Sequence, residues 1–320
     1  MQALTHYRVK FRVRTTGPAM WAAVFVDQQR QDLSADYYCG IDDNGGGVVD
    51  GCFLAHADAA GVYLRFHPLS PGTVMEIEDV RLARASRGEV CAWADAIERR
   101  IPTVSWQPPE DRLAKLPRTF DALAKGRRLR IVMLGDSIVN DTANGPWATL
   151  VERARPRAQI DVIPSVRSST GCWFYREPGR VAQYVLRYQP HLLVIGGISH
   201  QWDLDAIRDV VRQARAGHVP EILLMTDPVG IDGDPRGWPR ALSGEGGVEF
   251  AARLAKTAAY RTGLRELADQ EGAAFLDIGL AWNEYMAHCG RSYGWFMRDA
   301  VHANDRGREV LSRFMLAYLT

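Results

Sequence analysis

From residue 127 onward, short apolar runs alternate with helix-like segments, and this alternation constrains the fold more than any other feature of the chain. Leu129–Leu134, Gln159–Pro164, His191–Ile195, Glu221–Thr226 and Ala274–Ile278 read as strands. Trp147–Arg155, Val181–Tyr188, Asp203–Ala216, Phe250–Glu271 and Asp305–Tyr318 read as helices. Several of the strands are apolar at consecutive positions, so both of their faces must be covered. Such strands, separated by helices, predict a parallel sheet in a three-layer α/β/α domain over 127–320. Right-handed crossovers then bring the carboxyl ends of the strands to one edge, where ligands of open α/β sheets bind.

Residues 1–85 follow a different rhythm. Tyr7–Arg14 alternates apolar and charged side chains, Trp21–Val26 is a second strand, and Gly61–Phe66 and Val74–Leu82 continue the pattern. Short strands between turn signals, without a helical period, predict a small antiparallel β-sandwich, jelly-roll-like and possible as a carbohydrate-binding module. The stretch 86–126 contains a helical rhythm at Val90–Arg99 and a segment rich in Pro and polar residues, and reads as a linker. Asp42–Gly47 has the flavour of a calcium loop but lacks the ligand spacing of one, so a solvated turn is preferred.

With 39 basic and 38 acidic residues the chain has a net charge of +1, which gives no reason to expect nucleic acid or an anionic membrane as partner. No apolar run reaches the roughly 18–20 residues of a membrane span. Met1–Arg8 shows no apolar leader core, so the chain reads as cytoplasmic as written, or exported after loss of a leader. The five cysteines show no CxxC spacing, which disfavours a zinc cluster. Cys39 and Cys52 could bridge across a hairpin in an exported protein; reduced thiols are preferred. No phosphate-cradling glycine motif follows a strand, so no nucleotide cofactor is expected.

The polar exceptions collect at the predicted sheet edge: Gly135-Asp136-Ser137 after the first strand, Ser168–Gly171 after the second, Gly196–His200 after the third, Thr226-Asp227 after the fourth, and Asp299 with His302 after the fifth. A serine hydroxyl is a weak nucleophile until a base takes its proton, and the base needs a third group to fix its tautomer. Ser137, His302 and Asp299 are the candidates for those roles. The surround Gly135-Asp-Ser-Ile-Val139 lacks the second glycine of the nucleophile elbow of α/β-hydrolases.

The blocks Gly135-Asp136-Ser137-Ile138, Gly171 and Asp299-Ala-Val-His302, in that order, resemble the SGNH (GDSL) hydrolase superfamily. The resemblance implies a flavodoxin-like sheet, a serine nucleophile at Ser137, a base at His302 oriented by Asp299, and an oxyanion hole from the Ser137 and Gly171 N–H groups, with no metal or cofactor. The third block departs from the family pattern Gly-x-Asn-Asp: here it is Gly197-Ile-Ser199-His200. Three readings stay open. Ser199 or His200 substitutes as donor, which is preferred; the two backbone N–H groups suffice; or the site is specialised, for transfer rather than hydrolysis. Losing one such donor costs about 100- to 1000-fold in rate.

For substrate, Trp173, Trp202, Trp238, Trp282 and Trp295 are candidate platforms for sugar rings, and the Gly- and Pro-rich stretch 227–247 suits a binding rim. A sandwich ahead of such a domain is similar to two-domain carbohydrate acetyl esterases, which implies an acylated carbohydrate or other small ester as partner. An acyltransferase on the same scaffold and a non-catalytic carbohydrate-binding protein are the alternatives.

Overall fold

The computed structural model describes residues 1–33, 35–41, 46–227, 247–299 and 301–320, with side chains described outside 247–255. The first 84 residues form two antiparallel sheets. One has the order β4-β1-β6 and the other β3-β2-β5. Their strands are β1 (His6–Thr15), β2 (Ala19–Val26), β3 (Tyr37–Ile41), β4 (Gly46–Leu54), β5 (Gly61–Pro68) and β6 (Met75–Arg84). In β1 the alternation is realised directly: Val9, Phe11 and Val13 are buried and Lys10, Arg12 and Arg14 point to solvent. Trp21 anchors the core between the sheets, with ring centroids 5.9 Å from Phe11 and 5.3 Å from Tyr37.

Sequence reading had not placed β3 and β4. Gly40, Gly46, Gly47 and Gly51 interrupt their apolar pattern, and the two strands belong to different sheets. Cys39 on β3 and Cys52 on β4 therefore do not face one another across a hairpin, and both are free thiols.

The stretch 86–126, expected as a linker, is packed against the following sheet. Ser86 and Glu89 form a capping box that starts α1 (Arg87–Glu98). Val90, Trp93, Ala94 and Ile97 of α1 join Leu116, Ala122 and Leu123 in the same apolar cluster as the central strand of the following sheet. Helices α2 (Arg112–Lys115) and α3 (Pro117–Lys125) complete this stretch. Its Pro-rich composition reads as linker because the apolar residues that dock are sparse and lack a long period.

The parallel sheet has the order β11-β10-β9-β7-β8. Its strands are β7 (Arg128–Gly135), β8 (Gln159–Val166), β9 (Leu192–Ile195), β10 (Glu221–Met225) and β11 (Ala274–Leu276). This is the flavodoxin-like arrangement, whose order reverses at the first strand of the sheet, here β7. Alternate residues feed opposite faces. Ile131, Met133, Val194, Leu223 and Met225 enter one cluster. Val132, Leu134, Leu193, Ile195, Ile222 and Leu224 enter the other. The intervening helices are α4 (Ser137–Ala143), α5 (Trp147–Ala154), α6 (Cys172–Tyr175), α7 (Arg180–Tyr184), α8 (Leu204–Ala216), α9 (Gly247–Gln270), α10 (Ile278–His288) and α11 (Asp305–Leu319).

A buried ionic cluster joins the two regions. Arg308, on α11 and 1% exposed, directs both terminal nitrogens to the Tyr38 carbonyl of β3 at 2.7 Å. It also pairs with Asp305 at 2.9 Å and with Asp141 of α4 at 3.2 Å. Arg298 reaches the same Asp141 oxygen at 2.7 Å. From the sandwich, the Tyr37 hydroxyl and the Cys39 thiol donate to Asp305. Removing one partner of such a cluster leaves the others buried and uncompensated. Arg308→Met is therefore expected to lower unfolding stability by about 3–5 kcal/mol in urea titration; a loss below about 1 kcal/mol would show that the cluster is not buried as described.

Candidate active site

The site is built from the carboxyl end of β7. Asp136 is the N-cap of α4 and Ser137 its first residue. The Asp136 carboxylate is 1% exposed and accepts three backbone N–H groups: Ile138 at 2.9 Å, Ile198 at 2.8 Å and Ser199 at 2.8 Å. One side chain thus caps the helix that carries Ser137 and fixes the loop after β9. Gly197 makes this possible: its φ is +108°, and a Cβ there would lie 2.6 Å from an Asp136 oxygen.

The Asp299–His302 turn is closed by a bridge between Met297 and Ala303 and by the Arg298 N–H donating to the His302 carbonyl at 2.9 Å. Asp299 Oδ1 accepts the N–H groups of Val301 at 3.0 Å and His302 at 2.9 Å. His302 Nδ1 lies 2.9 Å from both Asp299 oxygens, and His302 Nε2 lies 2.8 Å from Ser137 Oγ. Residues 165 apart in the chain therefore meet at hydrogen-bond distance, in the order carboxylate, imidazole, hydroxyl. Burial alone would raise the Asp299 carboxyl. The hydrogen bond and charge of His302, the Val301 N–H and the charge of Arg298 outweigh it and hold the group at about 2. Asp299 is ionised at every pH well above that value.

The turn is held against α4. Asp141, four residues after Ser137 and so on the same helix face, accepts the Ala303 N–H at 3.1 Å and pairs with Arg298. The helix that presents the hydroxyl also fixes the segment that presents the imidazole.

Gly171 caps α6. A Cβ there would lie 2.2 Å from the Ser199 carbonyl oxygen, so the chain packs against the β9 loop only as glycine. The Ser137 and Gly171 N–H groups make no hydrogen bond to another described residue. His200 corrects the expectation of a donor at that position. Its ring is buried: Nδ1 accepts the Cys172 N–H at 3.0 Å, and Nε2 is 2.9 Å from the Gly196 carbonyl, to which it donates. Burial lowers its pKa, in keeping with a neutral ring that ties the Gly171–Cys172 turn to the β9 loop. The Ser199 backbone is also committed, its N–H to Asp136 and its carbonyl to Trp173 Nε1 at 2.9 Å. Only its hydroxyl remains as a donor.

Around Ser137 lies a cleft of about 420 Å³. Asn140, Ser168, Ser169, Arg298, Asp299 and His302 line it from the α/β side, and Met20, Asp32, Asp36 and Tyr38 line it from the sandwich. The four sandwich residues were missed by sequence reading, and no local motif marks them: they reach the cleft only through docking of β2 and β3. The Ser168–Gly171 loop had been placed at this edge.

Among the described residues, no tryptophan lines this cleft. Trp282 is core, 1% exposed. Trp295 is held between the Arg291 and Arg306 guanidinium groups, and Trp202 under Lys256. Trp173 is 39% exposed and hydrogen-bonded beside the cleft. Trp238 lies outside the described residues. Among the described residues no cluster of His, Cys, Asp or Glu suits a metal, and no helix is long and apolar enough to cross a membrane.

No family model and no curated protein matches the sequence. Solved structures do. A two-domain esterase active on acetylated mannans is 17% identical, with a TM-score of 0.48 over 65% of this chain and 53% of that one, so the match spans about half of that protein's length. An acetyl xylan esterase from Geobacillus stearothermophilus is 18% identical, with a TM-score of 0.46 over 60% of this chain and 94% of that one. Another acetyl xylan esterase is 17% identical, with a TM-score of 0.44 over 58% of this chain and 98% of that one.

Asp136→Asn turns an amide NH₂ toward at least one of three backbone donors. It is expected to cost about 2–4 kcal/mol in urea unfolding, the penalty for unpaired buried groups. Unchanged stability would contradict the role of Asp136 as the tie between the two loops.

Proposed function

We propose that this chain is a serine esterase that removes acetyl or other short acyl groups from a carbohydrate. The observation that carries the reading is the continuous hydrogen-bonded series Asp299, His302, Ser137 at the head of a cleft. His302 Nε2 takes the Ser137 proton as Oγ attacks the acyl carbon. Asp299 keeps the imidazole in the required tautomer and balances its charge once protonated. The tetrahedral oxyanion is held by the Ser137 and Gly171 N–H groups, with the Ser199 hydroxyl as the remaining candidate for a third donor. His302 then gives its proton to the departing alcohol oxygen. Water, activated by the same imidazole, releases the acid from the acyl-serine.

The lining supports a short acyl group and a hydroxylated alcohol. Among the described lining residues Met20 is the one aliphatic side chain, against serines, aspartates, an asparagine, an arginine, a histidine and a tyrosine. A long acyl chain would find little apolar surface there.

Ser137→Ala is expected to reduce kcat for 4-nitrophenyl acetate by at least about 1000-fold, with an unchanged melting temperature because among the described residues the hydroxyl bonds only to His302. Equal rates in the variant and the parent would end the esterase reading. Asp299→Asn is expected to lose about 100- to 10,000-fold, since an amide no longer holds the tautomer. Retention of more than half the rate would remove Asp299 from the mechanism.

A further inference from the structure

The two sides of the cleft present different groups. On the α/β side stands the Ser137 hydroxyl, the attacking atom, beside Ser168, Ser169 and the His302–Asp299 pair. On the sandwich side stand acceptors. The Tyr38 hydroxyl donates to Asp36 Oδ2 at 2.9 Å, leaving its own oxygen lone pairs to accept. Asp36 Oδ1 takes the Phe25 N–H at a long 3.3 Å, so the carboxylate keeps acceptor capacity. Asp32 lines the same wall.

This wall is fixed to the reacting groups. Asn140, one turn after Ser137 on α4, donates its side-chain N–H to the Asp36 carbonyl at 2.5 Å. The Arg298 guanidinium, next to Asp299, lies 5.6 Å from the centre of the Tyr38 ring. An ester entering the cleft has one carbonyl oxygen, which needs donors, and on a sugar several hydroxyls, which can donate. The acceptors of the sandwich wall suit the sugar hydroxyls.

We propose that the sandwich supplies the alcohol-side subsite of the cleft, where Asp36 and Tyr38 accept hydroxyl hydrogens of a neutral sugar. The Asp36 carboxylate, where ionised, turns acidic sugars away. The assignment rests on the esterase reading and names its substrate class. It also gives the sandwich a direct part in specificity, rather than that of a separate binding module.

The test compares kcat/KM for an acetylated neutral disaccharide, acetylated xylobiose, with that for 4-nitrophenyl acetate, which has no sugar hydroxyl. In Asp36→Asn and in Tyr38→Phe the ratio of the two is expected to fall about tenfold, the loss of one hydrogen bond to a charged group or its support. An acetylated uronic acid disaccharide is expected to be a poorer substrate than the neutral one, with the gap narrowing in Asp36→Asn. A ratio that does not change, or a fall of both substrates in step, overturns the assignment. A second measurement does not depend on turnover: titration calorimetry of unacetylated xylobiose on Ser137→Ala protein, with and without Asp36→Asn. Weakening by about fivefold or more supports the subsite, and equal binding overturns it. If the parent protein hydrolyses neither ester while Asp36 still governs disaccharide binding, the esterase reading falls and the wall assignment stands.

Discussion

The position of the imidazole depends on a carboxylate it never touches. Asp141 sits between two guanidinium groups, Arg298 and Arg308, and accepts the Ala303 N–H. Asp141 is 2% exposed and Arg308 1%. Desolvating these charges costs several kcal/mol per ion, and their mutual attraction only roughly offsets it. The cluster is therefore poor value as stabilisation. What it provides is placement. Asp141 is four residues from Ser137, Arg298 is next to Asp299, and Arg308 forks on the Tyr38 carbonyl. A shift in any one of the Ser137 helix, the histidine turn or the sandwich strand would leave a buried charge unpaired. An apolar joint of the same area has no comparable penalty for sliding.

Asp136 does the same work on the other side of Ser137. Its carboxylate is used entirely within the chain, capping α4 and holding the N–H groups of Ile198 and Ser199. The β9 loop is then tied to the α6 turn by His200 through Cys172 and Gly196. The departure from the expected Asn-Asp pair is thus divided into two physical consequences. The position expected to hold an aspartate carries a histidine that became a structural cross-link. The position expected to hold an asparagine carries a serine whose backbone is fully engaged. The donor an amide would have supplied is replaced, if at all, by a hydroxyl.

What could be read from sequence follows the range of the interactions involved. The parallel sheet was legible because consecutive apolar residues such as Ile131–Leu134 must bury both faces, which is a local pattern. That Ser137, His302 and Asp299 come together at one edge was legible because each lies in a short block at a strand end or ahead of a helix. His200 was misread because its role depends on Cys172 and Gly196, contacts that no spacing announces. Strands β3 and β4 were missed because their glycines break the alternation, and 86–126 was read as a linker although α1 docks by five side chains. Asp36 and Tyr38 were beyond reach for the same reason. Nothing about Asp36 in sequence says that it will hang from Asn140 beside Ser137.

That last contact bears on how the two regions act together. Burial raises the Asp36 carboxyl to about 6, against which the Tyr38 and Phe25 hydrogen bonds work only in part. A carboxylate kept in so poorly solvated a place costs folding free energy as pH rises from its ordinary value through about 6, because the folded state holds a proton that the unfolded chain has released. The chain keeps it nonetheless on the cleft wall, whereas the Arg8–Asp50 pair of the other sheet is partly exposed and costs little. A group held at a thermodynamic disadvantage, lining the same cleft as Ser137 and hung from Asn140, fits the proposed subsite better than a contribution to the fold.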